Sequence, residues 1–496
     1  MKAMVKLKHL ISMVLALVFL FSTFTSASAF KTQGIVTGRL YNELSTNLTA
    51  FQEFQDLKLG WIRIEFEEFY GVPAGSTFTS AAVQANKTKF QQVIANAHSK
   101  GLKVLGVIAN SAIPDIPNFP NTDASIQSFK SAVQWHLDNY NVDAIQIWNE
   151  PSANVKFTNT NLARYAKTLI EVYALKPQYP NVKFVGPATA NAEAGVWLGQ
   201  HGYGYDPENS IFNSTIMLNY RAANNGKLPL DVISWHPYGT QGDPNGNFYF
   251  GRTFATYYNE IKAYTDVTGR NVIGSYPIWF TEYGWDANLV GEENQRIYTE
   301  RMIGLIYARP QIEIPFLYGF RDDEDGPGTE DKAFGIRKNS LFGYAKKRVF
   351  YPFASHSSIV GLFTQDGVNE WTVDQIIDKY LSSGGRAAYG DAYRHSNAPW
   401  YGDKAHYWGP GNNGIIQQFN NGSYGECGIL LKVGAANAYL LKGGFYTFYV
   451  NNNGPYAYGW PTSDEYYDSA TGYVMQKFEN GKLRWKSGEA VTWVSN

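Results

Sequence analysis

The spacing of apolar and polar side chains alternates along the chain between two periods, that of a β-strand and that of an α-helix. Trp61–Phe66 (WIRIEF) alternates apolar and polar residues, which is the period of a β-strand. Lys103–Ala109 (KVLGVIA) is a nearly continuous run rich in branched residues, typical of a strand buried on both faces. Between them, Ala81–Lys100 carries apolar residues at helical spacing and ends before Gly101. The pattern predicts that strands alternate with helices.

This alternation is predicted to occur eight times. The predicted strands are Gly34–Arg39, Trp61–Phe66, Lys103–Ala109, Ala144–Trp148, Lys183–Pro187, Asp231–His236, Trp279–Glu282 and Pro315–Phe320. The predicted helices are Thr49–Lys58, Ala81–Lys100, a helix capped by Asp123, Leu162–Leu175, Asn213–Asn224, Thr253–Thr268, Glu292–Arg309 and Tyr344–Ser355. Eight strand–helix units indicate an α/β protein with a (β/α)8 TIM barrel. A doubly wound open sheet is the alternative, but no G-x-G-x-x-G follows the first strand.

The composition changes after about Leu362, where Gly, Tyr, Asn and Trp become frequent. Beyond a short predicted helix at Val373–Leu381, the sequence QQFNNG at Gln417–Gly422 recurs as QKFENG at Gln476–Gly481. An aromatic strand followed by an Asn-Gly turn is typical of a β-hairpin. We therefore expect the barrel over residues 30–363 and a smaller, β-rich domain with short hairpin repeats over residues 364–496.

Two of the predicted barrel strands end in a glutamate. Ala144–Trp148 leads into Glu150, and Pro151 should hold that residue in an extended conformation. The stretch Pro277–Trp285 has the same pattern, with an apolar strand that ends in Glu282 among aromatic residues. All carboxyl ends of barrel strands lie on one face, where active sites are built, so the two carboxylates should converge. Paired glutamates are the groups required for acid/base or nucleophilic chemistry on a sugar.

The first 29 residues have the three parts of a secretory signal peptide. Three lysines within the first eight residues precede the apolar stretch Leu10–Phe24, which is too short to span a bilayer comfortably. Ala27–Ala29 is an A-x-A cleavage site, so Phe30 should be the first residue of the mature chain. We therefore expect a secreted, extracellular bacterial protein, with no later transmembrane segment.

Charge and cysteine content exclude several classes of function. Removal of the three lysines would take the formal net charge from −1 to −4, so no basic patch for nucleic acid is expected. Cys427 is the only cysteine, which rules out an intramolecular disulfide and a thiolate metal site. The acidic run Asp322–Asp331 could bind a hard cation, but it lacks the spacing of a calcium loop, and a solvated loop is the favoured interpretation. No catalytic metal and no cofactor are expected.

The two glutamate motifs resemble those of clan-A retaining glycoside hydrolases, in which the acid/base follows strand four and the nucleophile follows strand seven. Asn149–Pro151 matches the Asn-Glu-Pro of the clan, and Thr281–Gly284 (TEYG) matches its nucleophile strand. Within the clan, the chain is most similar to family 39 and nearby cellulase-like groups, through Trp235–Tyr238 (WHPY) and through the loop from Arg321–Asp323 to Phe334–Ile336.

The resemblance covers roughly residues 30–363 and implies a role for several side chains. It implies that Glu150 is the general acid/base and Glu282 the nucleophile of a double displacement. Asn149 would contact the sugar 2-hydroxyl, and Arg63 would keep Glu282 ionised. The other substrate-binding residues that it implies are His236 and Tyr238 on the floor of the site, and Trp285 facing the sugar.

The C-terminal hairpins resemble LGFP repeats of cell-wall-associated bacterial proteins. The resemblance rests on Gly459–Pro461 (GWP) before the second hairpin copy and on Leu483–Trp485 (LRW) after it. It implies attachment to cell-wall glycan, and a structural cap on the barrel is the alternative.

Three hypotheses for function therefore stand. The first is a secreted retaining hydrolase of a β-linked polysaccharide or oligosaccharide. The second is a non-catalytic glycan- or cell-wall-binding protein on a barrel scaffold, which would not need both Glu150 and Glu282. The third is a metal-dependent hydrolase that uses His236 and the acidic loop, and it predicts inhibition by chelators.

Overall fold

The computed structural model contains a closed barrel of eight parallel strands. In chain order these are β1 (Gly34–Val36), β2 (Trp61–Glu65), β3 (Lys103–Ile108), β4 (Ala144–Ile147), β5 (Lys183–Ala190), β6 (Val232–His236), β7 (Ile278–Tyr283) and β8 (Ile312–Tyr318). Each strand pairs with the next, and β8 closes the barrel on β1. The predicted TIM barrel is confirmed. The structure describes residues 32–38, 40–109, 112–114, 120–151, 159–190, 200–201, 204–205, 211–239, 241–249, 252–263, 268–269, 271–307, 309, 311–322, 333–338, 345–350, 353, 364–366, 369–371, 373–392 and 406–496.

The helices lie where the apolar spacing predicts them, with two short additions, α1 and α8. They are α1 (Tyr41–Leu44), α2 (Leu48–Asp56), α3 (Ala81–Ser99), α4 (Asp123–Asn139), α5 (Asn159–Tyr173), α6 (Thr215–Ala223), α7 (Phe254–Lys262), α8 (Ala287–Val290) and α9 (Glu292–Tyr307). The predicted cap of α4 is wrong by one residue. Thr122 caps this helix, because its side chain accepts from the Ser125 backbone N–H while the Ser125 side chain accepts from the Thr122 N–H.

Two predicted segments fall on residues outside the described ranges. The signal peptide over residues 1–29 is one of them, and much of the closing helix at Tyr344–Ser355 is the other. A short hairpin, Gln200–His201 with Gly204–Tyr205, lies between β5 and β6. In the part of the chain that the structure describes, no helix has both the length and the apolar character needed to cross a membrane.

Large aromatic side chains fill the barrel near the amino ends of its strands. Trp61 and Trp279 pack edge to face with ring centroids 4.9 Å apart. Phe316 packs directly over Gly34, where a Cβ atom would lie 2.3 Å from the ring. This end of the barrel is therefore a packed apolar core, and the polar side chains of the candidate site lie at the carboxyl end.

β4 ends one residue earlier than predicted because Trp148 leaves the strand conformation. Trp148 has φ 70° and Glu150 has φ 41°, both in the left-handed region that residues other than glycine rarely adopt. This turn packs Trp148 against Phe129 in the outer core and leaves Asn149 facing the barrel interior. The expectation that Pro151 keeps Glu150 extended is therefore wrong, since the tertiary contacts outweigh the local preference.

β7 contains one extra residue near its carboxyl end. Pro315 and Leu317 of β8, two residues apart, pair with Phe280 and Tyr283 of β7, three residues apart. Such a β-bulge interrupts the strict alternation of side chains between the two faces of a strand. By strict alternation Glu282 would share the face of Phe280, which packs in the outer core. The bulge turns Glu282 towards the interior instead.

The chain after the barrel forms antiparallel sheets. Its strands are β9 (Thr364–Asp366), β10 (Asn369–Trp371), β11 (Gly390–Ala392), β12 (His406–Trp408), β13 (Gly414–Asn421), β14 (Cys427–Lys432), β15 (Tyr439–Lys442), β16 (Tyr466–Asp468), β17 (Tyr473–Phe478), β18 (Gly481–Trp485) and β19 (Thr492–Ser495). Its helices are α10 (Asp374–Ser382), α11 (Gly385–Tyr389), α12 (Gly443–Asn451) and α13 (Gly454–Tyr458). β9 and β10 form a hairpin, β11–β15 form a five-stranded sheet and β16–β19 form a four-stranded sheet.

The two copies of the repeat occupy corresponding places in the two larger sheets. The first ends β13 and the second ends β17, and each strand is followed by its hairpin partner. The first copy buries Gln417 and Phe419 fully. The second copy buries Gln476 fully and leaves Phe478 4 % exposed. The repeat therefore reflects a shared packing arrangement, in which a buried glutamine and a buried phenylalanine lie two residues apart on one strand face.

Candidate active site

Three polar side chains meet at the carboxyl end of the barrel, and each comes from a different strand. Glu150 follows β4, His236 ends β6 and Glu282 lies in β7. One carboxylate oxygen of each glutamate and a ring nitrogen of His236 all lie within 4.8 Å of one another. The structure thus brings together the two glutamates that the sequence singles out.

Glu282 is held on both of its carboxylate oxygens. Its side chain is only 7 % exposed, and Oε1 lies 2.9 Å from Nη1 of Arg63. Oε2 accepts a hydrogen bond of 2.5 Å from the Tyr238 hydroxyl. Burial, and then the nearby Glu282 carboxylate, raise the pKa of Tyr238 well above its ordinary value, so the phenol remains a donor. An ionised carboxylate with a fixed orientation is the form that acts as a nucleophile.

Arg63 of β2 connects the two halves of the site. Its guanidinium is fully buried, with Nη1 also 3.2 Å from Oε1 of Glu65, Nε donating to Gln146 and Nη2 donating to Asn149. Burial lowers the pKa of Arg63, but the carboxylates of Glu282 and Glu65 outweigh it, and the net pKa is raised. Arg63 is therefore a permanent buried cation whose charge is matched by acidic partners.

Asn149 has a fixed amide orientation. Its Oδ1 accepts from Nη2 of Arg63 at 2.7 Å and from Nε2 of Gln146 at 3.3 Å. Gln146, buried on β4, also donates to the backbone carbonyl of Trp148, which fixes the turn that follows the strand. Because the Asn149 oxygen faces these two donors, its NH2 group is the one left to meet a ligand.

His236 bridges the second glutamate to the barrel wall. The ring is fully buried, with Nδ1 2.8 Å from Oε1 of Glu150 and Nε2 2.9 Å from the Thr281 hydroxyl. Burial raises the pKa of Glu150, but the hydrogen bond to His236 and the electrostatic attraction of His236 and Arg63 outweigh it, and the net pKa is lowered. The Glu150 side chain is 25 % exposed, so it is the more accessible of the two glutamates.

Trp285 does not occupy the place expected for it. Its side chain is 1 % exposed, its Nε1 donates to the Gly242 carbonyl at 3.0 Å, and its ring packs against Tyr298. The expectation that Trp285 faces the sugar is therefore not supported. The resemblance implied that Trp285 faces the sugar, but the hydrogen bond from the indole N–H to the Gly242 carbonyl holds the ring in the packed wall of the barrel.

Sequence reasoning missed three further polar residues of the site. Glu65 contacts Arg63. Gln146 contacts both Arg63 and Asn149, and Thr281 contacts His236. A signal for Glu65 was present, because residues two apart on a strand share a face and Glu65 is two residues after Arg63. The same argument links Gln146 to the interior face of β4.

Metal binding is a weaker explanation of these groups. Two carboxylates and an imidazole are donors that a divalent cation accepts. Arg63 and Tyr238, however, already contact the two oxygens of Glu282, and a fixed guanidinium at 2.9 Å opposes the approach of a second cation. Residues 323–331 of the acidic run lie outside the described ranges, and Asp322 forms an ion pair of 2.8 Å with the buried Lys347.

Comparison with known proteins shows the fold. No protein-family model and no curated protein matches the chain. A family 39 glycoside hydrolase from the gut symbiont Bacteroides cellulosilyticus WH2 is similar over 94 % of this chain and 80 % of that chain, with a TM-score of 0.50 and 16 % identity. A family 1 β-glucosidase from Thermotoga maritima gives a TM-score of 0.47 and 12 % identity over 66 % of this chain and 96 % of that chain. The first of these similarities shows that the chain shares the fold of a glycoside hydrolase with a TIM barrel.

Proposed function

We propose that this chain is a retaining glycoside hydrolase that cleaves a β-linked polysaccharide or oligosaccharide. The observation that carries the proposal is the pair of Glu150 and Glu282, whose facing oxygens lie within 4.8 Å. Retaining enzymes hold their two carboxyl groups about 5–5.5 Å apart, whereas inverting enzymes need roughly 6.5–9.5 Å to admit a water molecule. The short separation favours the retaining reaction.

Glu282 would act as the nucleophile. Its carboxylate attacks the anomeric carbon, the bond to the leaving oxygen breaks, and a covalent glycosyl ester forms. Arg63 and Tyr238 hold the carboxylate in place until the bond forms. The NH2 group of Asn149 is placed to donate to a sugar hydroxyl next to the reacting carbon, a contact that strengthens in the transition state.

Glu150 would act first as acid and then as base. It gives its proton to the leaving oxygen, and in the second step it takes a proton from the water that attacks the ester. His236 can hydrogen-bond to Glu150 in both protonation states of that carboxyl, because Nε2 of the ring faces the Thr281 hydroxyl, which can donate or accept. With Glu150 ionised, Nδ1 donates to it and Thr281 donates to Nε2; with Glu150 protonated, both bonds reverse.

A screen of purified protein against a panel of β-linked polysaccharides tests the proposal. We expect release of new reducing ends, and NMR of the first product should show the β-anomer before mutarotation. An α-anomeric first product would refute the retaining mechanism. Binding without turnover on every glycan would favour the non-catalytic glycan-binding protein, and turnover abolished by chelators would favour the metal-dependent hydrolase.

The contact with His236 predicts a shift in the pH profile. Glu150 must carry its proton to act as an acid, so activity falls as the pH rises through its pKa. His236→Phe removes the contact that lowers this pKa and leaves burial, which raises it. We therefore expect the basic limb of kcat/KM to move to higher pH, in a variant with reduced activity.

A matched histidine elsewhere provides the control for this pH shift. His98→Phe alters a partly exposed histidine that pairs with Asp143, and it should leave the limb in place. A basic limb that stays unchanged in His236→Phe, or that moves to lower pH, would show that His236 does not set the protonation of Glu150.

The proposal extends to the location of the protein. The signal-peptide pattern of the first 29 residues favours secretion, and the resemblance of the C-terminal hairpins to LGFP repeats supports attachment to cell-wall glycan. Co-sedimentation of the mature chain with purified cell walls, compared with a chain that ends after the barrel, would test this second part if the shorter chain folds.

A further inference from the structure

Glu65 is a third carboxylate at the candidate site, and the reaction described above does not use it. It ends β2 two residues after Arg63, so both side chains lie on the same face of the strand. At about 3.3 Å per residue, Glu65 is attached about 6.6 Å nearer the carboxyl end of the strand. The exposed fraction rises accordingly, from 0 % for the Arg63 side chain to 37 % for the Glu65 side chain. Glu65 therefore lies at the rim of the barrel mouth.

Glu65 shares one guanidinium nitrogen with the nucleophile. Nη1 of Arg63 lies 3.2 Å from Oε1 of Glu65 and 2.9 Å from Oε1 of Glu282. Among the described residues, the Glu65 carboxylate has no other hydrogen bond. One of its oxygens is thus directed to the site by Arg63, and the group keeps acceptor capacity for a molecule that enters the mouth.

A purely structural role explains Glu65 poorly. Arg63 already has Glu282 as a buried counter-charge, and Gln146 and Asn149 accept from its other nitrogens. An additional carboxylate that is more than a third exposed contributes little to stability, because water screens it. It does change the local charge. Three carboxylates, those of Glu65, Glu150 and Glu282, then lie near the single guanidinium of Arg63. Glu65 also opposes the lowering of the Glu150 pKa.

We propose that Glu65 selects the substrate by charge, binding hydroxyl or ammonium groups of the sugar at the mouth and rejecting sugars that carry a carboxylate there. This inference rests on the proposed glycosidase function. It names the substrate class of the site as neutral or amine-bearing β-linked sugars, in preference to uronic acids. An ammonium group can donate a charge-assisted hydrogen bond to Glu65, whereas a carboxylate would meet a like charge.

The test compares three β-linked oligosaccharide series of equal length: a neutral glucan, a de-N-acetylated glucosamine series and a glucuronic acid series. We measure kcat/KM for the wild type and for Glu65→Gln, which keeps the shape and the acceptor but removes the charge. A hydrogen bond to a charged group corresponds to about a tenfold effect or more. We therefore expect the ratio of the amine to the carboxylate series to fall about tenfold in Glu65→Gln, and the difference to shrink at high salt.

A matched control is Glu313→Gln, which alters a half-exposed carboxylate near the amino end of β8 and should leave the ratio unchanged. Equal losses in all three series of Glu65→Gln would mean that Glu65 only positions Arg63, and would overturn the proposal. A ratio of the amine to the carboxylate series that stays unchanged in Glu65→Gln would also overturn the proposal.

Binding to protein that carries Glu282→Gln, with and without Glu65→Gln, separates this inference from the proposed activity. If the wild type hydrolyses none of the series but binds them with this charge preference, the hydrolase proposal fails and the role of Glu65 stands. If hydrolysis occurs without the preference, the role of Glu65 fails alone. Absence of both turnover and binding in every series would overturn both.

Discussion

Glu282→Gln should reduce the rate of glycoside cleavage by about 10⁴-fold or more, the scale seen when a nucleophile is removed from an enzyme. The amide has the size of the carboxylate but cannot form the glycosyl ester. Its neighbours remain, so we expect the variant to fold and to bind oligosaccharide. Reducing-end release and calorimetric binding, measured on the same preparation, check the two halves of this prediction.

A second variant distinguishes a nucleophile from a group that only supplies charge. Glu282→Ala leaves a cavity beside Arg63 that a small anion such as formate can enter. If Glu282 is the nucleophile, formate should restore part of the turnover on a substrate with a good leaving group. Glu293→Gln, on the exposed surface of α9, is the control and should retain full activity. Substantial activity in Glu282→Gln would contradict the assignment.

Arg63→Met should lower the free energy of unfolding by about 3–5 kcal/mol, because it leaves a buried carboxylate without its cation. The guanidinium is fully buried, and the Glu282 side chain that would lose it is 7 % exposed. Gln146 and Asn149 would also lose the donors that orient them. Chemical denaturation of the wild type and the variant measures the effect, and we expect hydrolysis to fall below detection.

The double variant Arg63→Met with Glu282→Gln is the critical comparison. It removes both charges, so a large part of the lost stability should return even though the double variant has one more substitution. Arg164→Met, which breaks an exposed ion pair with Asp123, should change the stability far less than Arg63→Met, because water screens exposed charges. A double variant no more stable than Arg63→Met alone would mean that Arg63 stabilises the fold through packing rather than through Glu282.

Periodicity was sufficient to predict the barrel. Each strand of the barrel is a run of alternating or branched residues, and the predicted positions differ from the observed ones by a few residues at the ends. Tertiary contacts decide where each strand ends. Trp148 shows this, because continuation of β4 would have turned its indole into the interior that Arg63 and Asn149 occupy. The preference that Pro151 imposes on the preceding residue is local and does not take that steric conflict into account.

The site was predictable to the extent that residues lie at strand ends. Glu150 and Glu282 were found because each interrupts an apolar strand, and Arg63 because a charge within a buried strand needs a partner. Trp285 was misplaced because the sequence does not reveal that its N–H bonds to the Gly242 carbonyl. Glu65 was missed because a charged residue at a strand end is usually solvated, although its spacing of two residues from Arg63 placed it on the same strand face.

The extra residue in β7 makes the number of residues in that strand as important as their identity. Thr281 is the one residue between Phe280 and Glu282, and its deletion would leave these two on opposite faces by strict alternation, without a bulge. The carboxylate would then still face the interior. Insertions and deletions are usually tolerated in loops and rejected in strands by their effect on folding. Here a strand could lose one residue and keep the direction of Glu282, while His236 loses its contact with the Thr281 hydroxyl. A protein engineer could use this position to remove that support of His236 without altering either glutamate.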